Sequence, residues 1–370
     1  MPVERSTAVG GYVAPLDGIR AVAAVMVVLF HAQVGFVSGD LGVDIFFVLS
    51  GFLITGILLR SGGDGHMSYR RFYVRRALRL LPAYFAVLAF SVVADFVWNS
   101  GGTLKGAVFS LAYVSNWAAG QEIGLGLLAH TWSLSIEEQF YLVWPLLLMW
   151  LIRRAGSRAD RLVVSVAVLV ALTLVATVLC WVLGLSVGFT WNSTFCRGSQ
   201  LLAGALLAVW VTARHAEGHH AVPGSAAVGT TGLLSLLGLV AVSWMSWEDP
   251  WVTILVRWPL VTILTVALIV CCISPSRQLV NRMLGSRPMV ATGRVSYGLY
   301  LWHFPVLVLV DSTLGLNTWG PRLLGLAITA VIVPMSYRYI ERPFLALKTE
   351  PGTPLGRALR LAPESARVRA

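Results

Sequence analysis

Ten runs of about twenty mostly apolar residues recur along this 370-residue chain, near 17–36, 41–59, 78–97, 132–152, 162–184, 197–213, 226–246, 252–273, 296–315 and 321–341. Twenty helical residues match the thickness of a bilayer's hydrocarbon core, where no water satisfies the backbone, so each run must close its hydrogen bonds within itself. The short alternating segments of a membrane barrel are not found in the sequence. The expected fold class is therefore all-α, a polytopic membrane bundle of about ten transmembrane helices. Composition agrees: the chain is 57% hydrophobic and 12% charged, with a mean hydropathy of +0.76.

The charges orient the bundle. A net charge of +11 would suggest nucleic acid in a soluble protein, but no RNA-binding signature or zinc spacing accompanies it, and no nucleic-acid partner or metal is expected. With the N-terminus inside, the cytoplasmic segments hold 24 of the 28 Lys and Arg, leaving Lys105, Arg197, Arg257 and Arg322 outside. The positive-inside rule thus predicts a cytoplasmic-membrane protein with both termini inside. The first run is long, follows Asp17 and precedes nine others, so it does not read as a cleaved leader. Residues 1–344 are expected to form the transmembrane domain and 345–370 a basic, disordered cytoplasmic tail. Residues 98–131, the longest outward connection, are expected to cap the outer mouth. Cys180, Cys196, Cys271 and Cys272 show no C-x-x-C and no disulfide framework, and Cys271 and Cys272 are expected to be inert.

Any chemistry must lie among the helices. In "LDGIRAVAAVMVVLFHAQVGF", Arg20 and His31 are eleven residues apart, which places them on one helical face about 17 Å apart along the axis. Arg20 lies near the inner surface and His31 past the middle of the run. An ionisable group at that depth faces a protein interior or a wet cavity; the alternative is a histidine bonded to a backbone carbonyl. Asp44, in "GVDIFFVLSGF", is near the outer end of its run and within reach of His31, where a carboxylate would fix the ring's tautomer and raise its basicity. Its alternative is a helix cap. Ser50 and Gly51 permit close helix contact.

In "RRFYVRRALRLLPAY", Arg75 and Arg79 share a face and Arg76 neighbours Arg79. The cluster reads either as a phosphate site or as a cytoplasmic membrane anchor. In "HTWSLSIEEQFYLVWP", His130, Ser133, Glu137 and Tyr141 form one stripe, so Glu137 is expected to face inward and Glu138 toward the interface. In "GRVSYGLYLWHFP", Ser296, Tyr300 and His303 share a face, and Pro305 is expected to distort the helix and free a carbonyl. In "YRYIERPF", Glu341 is a candidate partner for a loop arginine.

Together these stretches resemble the integral-membrane acyltransferase-3 family, which includes bacterial glycan and macrolide O-acyltransferases. "LDGIRAVAAVMVVLFH", "GVDIFFVLSGF", "RRALRLLPAY", "WSLSIEEQFY", "SYGLYLWHFP" and "ERPF" occur in the family's order, from Leu16 to Phe344. The resemblance implies a ten-helix bundle that moves an acyl group, acetyl by default, from cytoplasmic acyl-CoA to a hydroxyl of a sugar-containing acceptor. It also implies the standalone type, without an extracytoplasmic hydrolase-like domain and without a permanently bound cofactor. The family's arginine–ten residues–histidine motif maps onto Arg20 and His31, its arginine-rich motif onto Arg75, Arg76 and Arg79, and its glutamate after Trp-Ser-Leu onto Glu137. On this reading Arg20, Arg75, Arg76 and Arg79 bind acyl-CoA and His31 is the general base. Asp44 or Glu137 orients the imidazole, and Trp132, Ser133, Tyr300 and His303 are candidates for substrate or oxyanion contact. The acceptor is left open between a cell-envelope glycan and a macrolide-type natural product, with a lean toward the second. Two other classes stay in view: a transporter or flippase using the same His, Glu and Arg as a proton or substrate site, and a non-catalytic membrane scaffold.

Overall fold

Each of the ten predicted runs falls on a helix. In the computed structural model, which describes residues 12–62, 69–98, 101–156, 158–218, 222, 224–275 and 278–347, they are α1 (Ala14–His31), α2 (Leu41–Gly62), α3 (Tyr69–Trp98), α4 (Thr131–Ala155), α5 (Ala159–Val182), α6 (Thr194–Ala216), α7 (Ala226–Trp244), α8 (Pro250–Ile273), α9 (Ser296–Leu314) and α10 (Trp319–Ala346). There is no strand among the described residues. The protein is an all-α, multi-pass membrane bundle. The predicted tail lies outside the described residues from residue 348 on; before that, α10 continues to Ala346.

Eight of the ten helices are long and apolar enough, by length and composition, to cross a membrane. The other two are α4 and α9, the helices that carry "HTWSLSIEEQFY" and "SYGLYLWHFP". Polar residues that they carry, Ser133, Ser135 and Tyr141 on α4 and Ser296, Tyr300 and His303 on α9, are buried in the protein, which relaxes the hydropathy that lipid contact demands. At the periphery the demand is met in full: Phe96 and Val182 are 83% and 64% exposed, as side chains facing lipid should be.

Besides the longer α10, two boundaries differ from expectation. α1 stops at His31 rather than residue 36, because Ala32 caps it and Gln33 takes a left-handed φ of 56° that no helix continues through. The chain then turns back across the bundle end, where the Val37 and Ser38 N–H groups donate to the Ser243 carbonyl at 3.1 and 2.9 Å. α3 begins at Tyr69, so the arginine cluster is itself helical.

The close packing of α2 on α6 is set by two glycines. A Cβ on Gly51 would strike the Leu201 carbonyl, and one on Gly204 the Val48 carbonyl, so the backbones meet with nothing between them. Residues 101–130 fold into the helices Thr103–Leu111 and Ser115–Gly120 and a short 3₁₀ turn, Gly126–Leu128. Hydroxyls pin this segment to α4: Ser110 to Thr131 at 2.8 Å and Ser115 to Ser135 at 2.7 Å. Gln139 adds donations to the Tyr113 carbonyl and to Asn116 Oδ1. The segment forms one wall at the bundle end opposite the arginine cluster, called the outer end below; the arginine-rich end is the inner one.

Candidate active site

Two polar stripes, one on α1 and one on α9, face each other through the middle of the bundle. At the inner end Arg20 Nε donates to Ser296 Oγ at 3.3 Å. At the far end His31 Nδ1 lies 3.3 Å from His303 Nε2. Tyr300 stands between these levels, 2.5 Å from Ser133 Oγ, with its hydroxyl donating to the His130 carbonyl at 3.0 Å. His31 is the last residue of α1, yet it meets α9 seven residues after that helix begins. Its depth comes from α1 ending inside the bundle.

Local hydrogen bonding fixes which nitrogens carry protons. His303 Nδ1 is 3.1 Å from the Leu299 carbonyl, which only accepts, so Nδ1 is the N–H and Nε2 of the neutral ring is a bare acceptor. His31 Nδ1 is 2.9 Å from the Val27 carbonyl and faces that bare His303 nitrogen, so it too carries its hydrogen. The neutral His31 ring is thereby left with Nε2 as its free base. His130 completes a group of three imidazoles; it is 3% exposed, and neither of its ring nitrogens has a hydrogen-bond partner of good geometry. Its backbone neighbour is the Leu301 carbonyl, the one that Pro305, lacking an N–H, cannot bond within α9. α9 continues through Pro305 unbroken to Leu314. Among the described residues no group of His, Cys, Asp and Glu is arranged to hold a metal ion.

Two cavities flank this core. The outer one, about 650 Å³, is lined by His31, His130, Trp132, Trp191, Asp40 and Arg257 among others, with the 119–125 stretch as one wall. The inner one, about 490 Å³, is lined by Arg20, Arg76, Arg79, Arg294, Ser133 and Glu137 among others. Tyr300 and Val43 belong to both linings. The sequence's face-sharing pair is thus divided: Arg20 opens on the inner cavity and His31 on the outer.

The profile of an acyltransferase domain matches residues 13–339. The chain belongs to the acyltransferase-3 family. It is similar to the putative peptidoglycan O-acetyltransferase YrhL of Bacillus subtilis, at 33% identity over 349 residues, and to the peptidoglycan O-acetyltransferase OatA of Listeria monocytogenes, at 33% over 355 residues. The O-acetyltransferase OatA of Staphylococcus aureus is 29% identical over 349 residues. Each alignment covers 90% of this chain but 55%, 56% and 57% of the three relatives, so the chain spans about half the length of the curated relatives it matches. No solved structure matches.

Against the acyltransferase-3 motifs, the structure redistributes several residues. Asp44 does not orient His31: its Oδ1 accepts from Arg197 Nη1 at 2.5 Å in an ion pair whose side chains are both 2% exposed. The first turn of α2 aims that carboxylate at α6, and Arg197, boxed by Trp258 at 3.6 Å and Trp191 at 5.0 Å, claims it. Glu137 faces inward as its stripe predicts, but it lines the inner cavity and accepts from Ser50 Oγ at 2.8 Å, away from His31. Glu138 pairs with Arg76 at 2.6 Å, and Arg76 also covers the Tyr141 ring at 3.3 Å. Arg76 and Arg79 line the inner cavity and Arg75 does not, although it is four residues from Arg79 on the same helix. His303 lies behind His31 and lines neither cavity, whereas Trp132 lines the outer one and Ser133 the inner. Among the described residues Glu341 forms no ion pair; it is 4% exposed at the inner cavity.

The sequence reading missed Asp40, Arg257, Arg294 and the unpartnered His130 as site residues. One signal was present: Arg197 and Arg257 were already exceptions to the positive-inside count. They are not loop charges but buried halves of ion pairs, with Arg257 gripping Asp40 through both nitrogens at 2.9 and 2.6 Å.

Proposed function

We propose that this chain is a membrane O-acetyltransferase that takes an acetyl group from an acyl-CoA in the inner cavity and delivers it to a hydroxyl of an envelope glycan in the outer cavity. The observation that carries this reading is that Tyr300 and Val43 line both cavities, with guanidinium groups on one side and a free imidazole base on the other. Arginine forks match the phosphate oxygens of a nucleotide donor. Arg20, Arg76, Arg79 and Arg294 supply them at the inner cavity, whose lining does not include Arg75. The rise from Arg20 to His31, about 17 Å, is of the order of an extended pantetheine arm, which would bring the thioester past Tyr300.

His31 Nε2 then removes the acceptor hydroxyl's proton as that oxygen attacks the acyl carbon. The C–S bond breaks, and the imidazolium returns the proton to the departing thiolate. His303 holds the His31 ring with Nδ1–H inward, the task that a carboxylate performs in the more familiar arrangement. We assign the developing oxyanion to the hydroxyls of Ser133 and Tyr300, whose hydrogens turn to it from the His130 carbonyl that they meet in the resting protein. The relatives' names favour a peptidoglycan-type glycan over the macrolide-type acceptor that the sequence reading preferred.

The test is direct. Purified protein in bilayer discs is incubated with acetyl-labelled acetyl-CoA and with either soluble peptidoglycan fragments or a macrolide, and the products are mapped by mass spectrometry. The expected result is label on a glycan hydroxyl with equimolar release of CoA. Unmodified acceptor and undiminished acetyl-CoA would sink the reading and leave a transporter or scaffold.

A further inference from the structure

Cys180 and Cys196 belong to different helices and are sixteen residues apart, yet their sulfurs are 3.8 Å from each other. Both side chains are buried, at 8% and 1% exposure. Cys180 is in the last turn of α5 and Cys196 in the first turn of α6, both at the outer end of the bundle. The connection between them carries the short helix Val187–Asn192 and builds part of the outer cavity's wall. Trp191 lines that cavity, and its carbonyl accepts from Arg197 Nε at 3.0 Å, with Arg197 the residue directly after Cys196. Sulfurs at this separation are in van der Waals contact. A disulfide spans about 2.05 Å, so closure asks for less than about 2 Å of movement, the scale of a side-chain rotation.

The other two cysteines are placed differently. Cys271 and Cys272 are adjacent in the last turn of α8, at the inner end, and the Cys271 sulfur is 3.7 Å from Asn281 Oδ1. The bundle therefore separates its thiols: a touching pair from two helices at the outer end, and two neighbours on a single helix at the arginine-rich end. Disulfides persist on the oxidising side of a membrane and are rare on the cytosolic side.

We propose that Cys180 and Cys196 are a disulfide site, closed in the native protein on the outer side of the membrane, where the bond clamps the α5–α6 connection and with it the Trp191–Arg197 wall of the outer cavity. The chemistry is thiol–disulfide exchange with a disulfide-bearing oxidant on that side. A bond forms between the two cysteine sulfurs, the oxidant's own S–S bond breaks, and its two sulfurs leave as thiols carrying the two protons. Exchange occurs as the connection folds, before α6 buries Cys196. The proposal does not depend on acyl transfer; it requires only that the arginine-poor end be the outer one.

The experiment uses the full chain in native membranes. Thiols are alkylated after denaturation, with and without prior reduction, and the peptides are mapped by mass spectrometry. The expected result is one linked peptide pair joining Cys180 to Cys196 in the unreduced sample, with both residues alkylated only after reduction, while Cys271 and Cys272 are alkylated in both samples. Complete alkylation of Cys180 and Cys196 without reductant overturns the proposal. The clamp is tested on purified protein: reductant should lower the melting temperature of the unmodified chain and leave that of Cys196→Ser unchanged. An equal melting temperature with and without reductant in the unmodified chain overturns the clamp.

Discussion

Three features place His31: α1 ends at it, the Val27 carbonyl takes its Nδ1 hydrogen, and His303 backs it. Replacing it removes the proposed base while leaving the inner cavity intact. His31→Ala should lower acyl transfer by about 10²–10⁴-fold, measured as CoA release, with donor affinity unchanged in an equilibrium binding assay. His303 acts through His31 and is a positioning residue. His303→Phe should lower kcat by roughly 10–100-fold at constant KM, the usual cost of losing a supporting partner. His303→Gln, whose amide oxygen can accept from His31 Nδ1–H, should recover most of the loss. A raised KM with unchanged kcat would instead put His303 against substrate. Arg20, His31, Tyr300 and Glu137 were legible in sequence because a polar group in an apolar run has few reasons to be there. The partner of His31 was not legible: the sequence offered Asp44 or Glu137, whereas the structure aims Asp44 at Arg197, puts Glu137 on the inner cavity and sets His303 against His31.

At the scale of elements, α4 and α9 give up hydropathy for the polar residues of the candidate site, and α2 and α6 trade side chains for proximity. Gly204→Ala would drive a methyl into the Val48 carbonyl, an overpacking of the kind that costs about 1–3 kcal/mol. Denaturation in detergent should report that loss, and an unchanged stability would mean that α2 and α6 are not in backbone contact. The Asp44–Arg197 pair also joins α2 to α6, and both partners are buried. Removing one leaves the other charged and unpaired, so Arg197→Met should destabilise by about 3–5 kcal/mol. The double change with Asp44→Leu should recover much of that loss, and a double-mutant cycle on thermal unfolding measures the coupling. Sequence spacing located all ten helices but misplaced two ends: α1 stops early because an apolar run does not reveal that a left-handed Gln33 cuts it short, and α3 starts nine residues early because its first turns carry arginines rather than apolar residues.

At the scale of the molecule, Tyr300 and Val43 line both cavities, and the proposed reaction requires an acyl group to pass them without water following. Tyr300→Ala removes the ring shared by both linings and should raise hydrolysis of acetyl-CoA to acetate relative to transfer, read as the ratio of the two products. A fall in both, with their ratio unchanged, would assign Tyr300 to chemistry alone. The repeated apolar runs by themselves determined that this chain is a helical membrane bundle, since bilayer thickness and backbone hydrogen bonding admit little else. The intramembrane polar residues determined which helices carry the candidate site. Tertiary structure alone decided the pairings: Asp44 with Arg197, Arg257 with Asp40, His31 with His303, Cys180 beside Cys196. Helical periodicity states which way a side chain points around its own axis, whereas these contacts depend on how ten axes are rotated and stacked against one another, and that follows from the packing of the whole bundle.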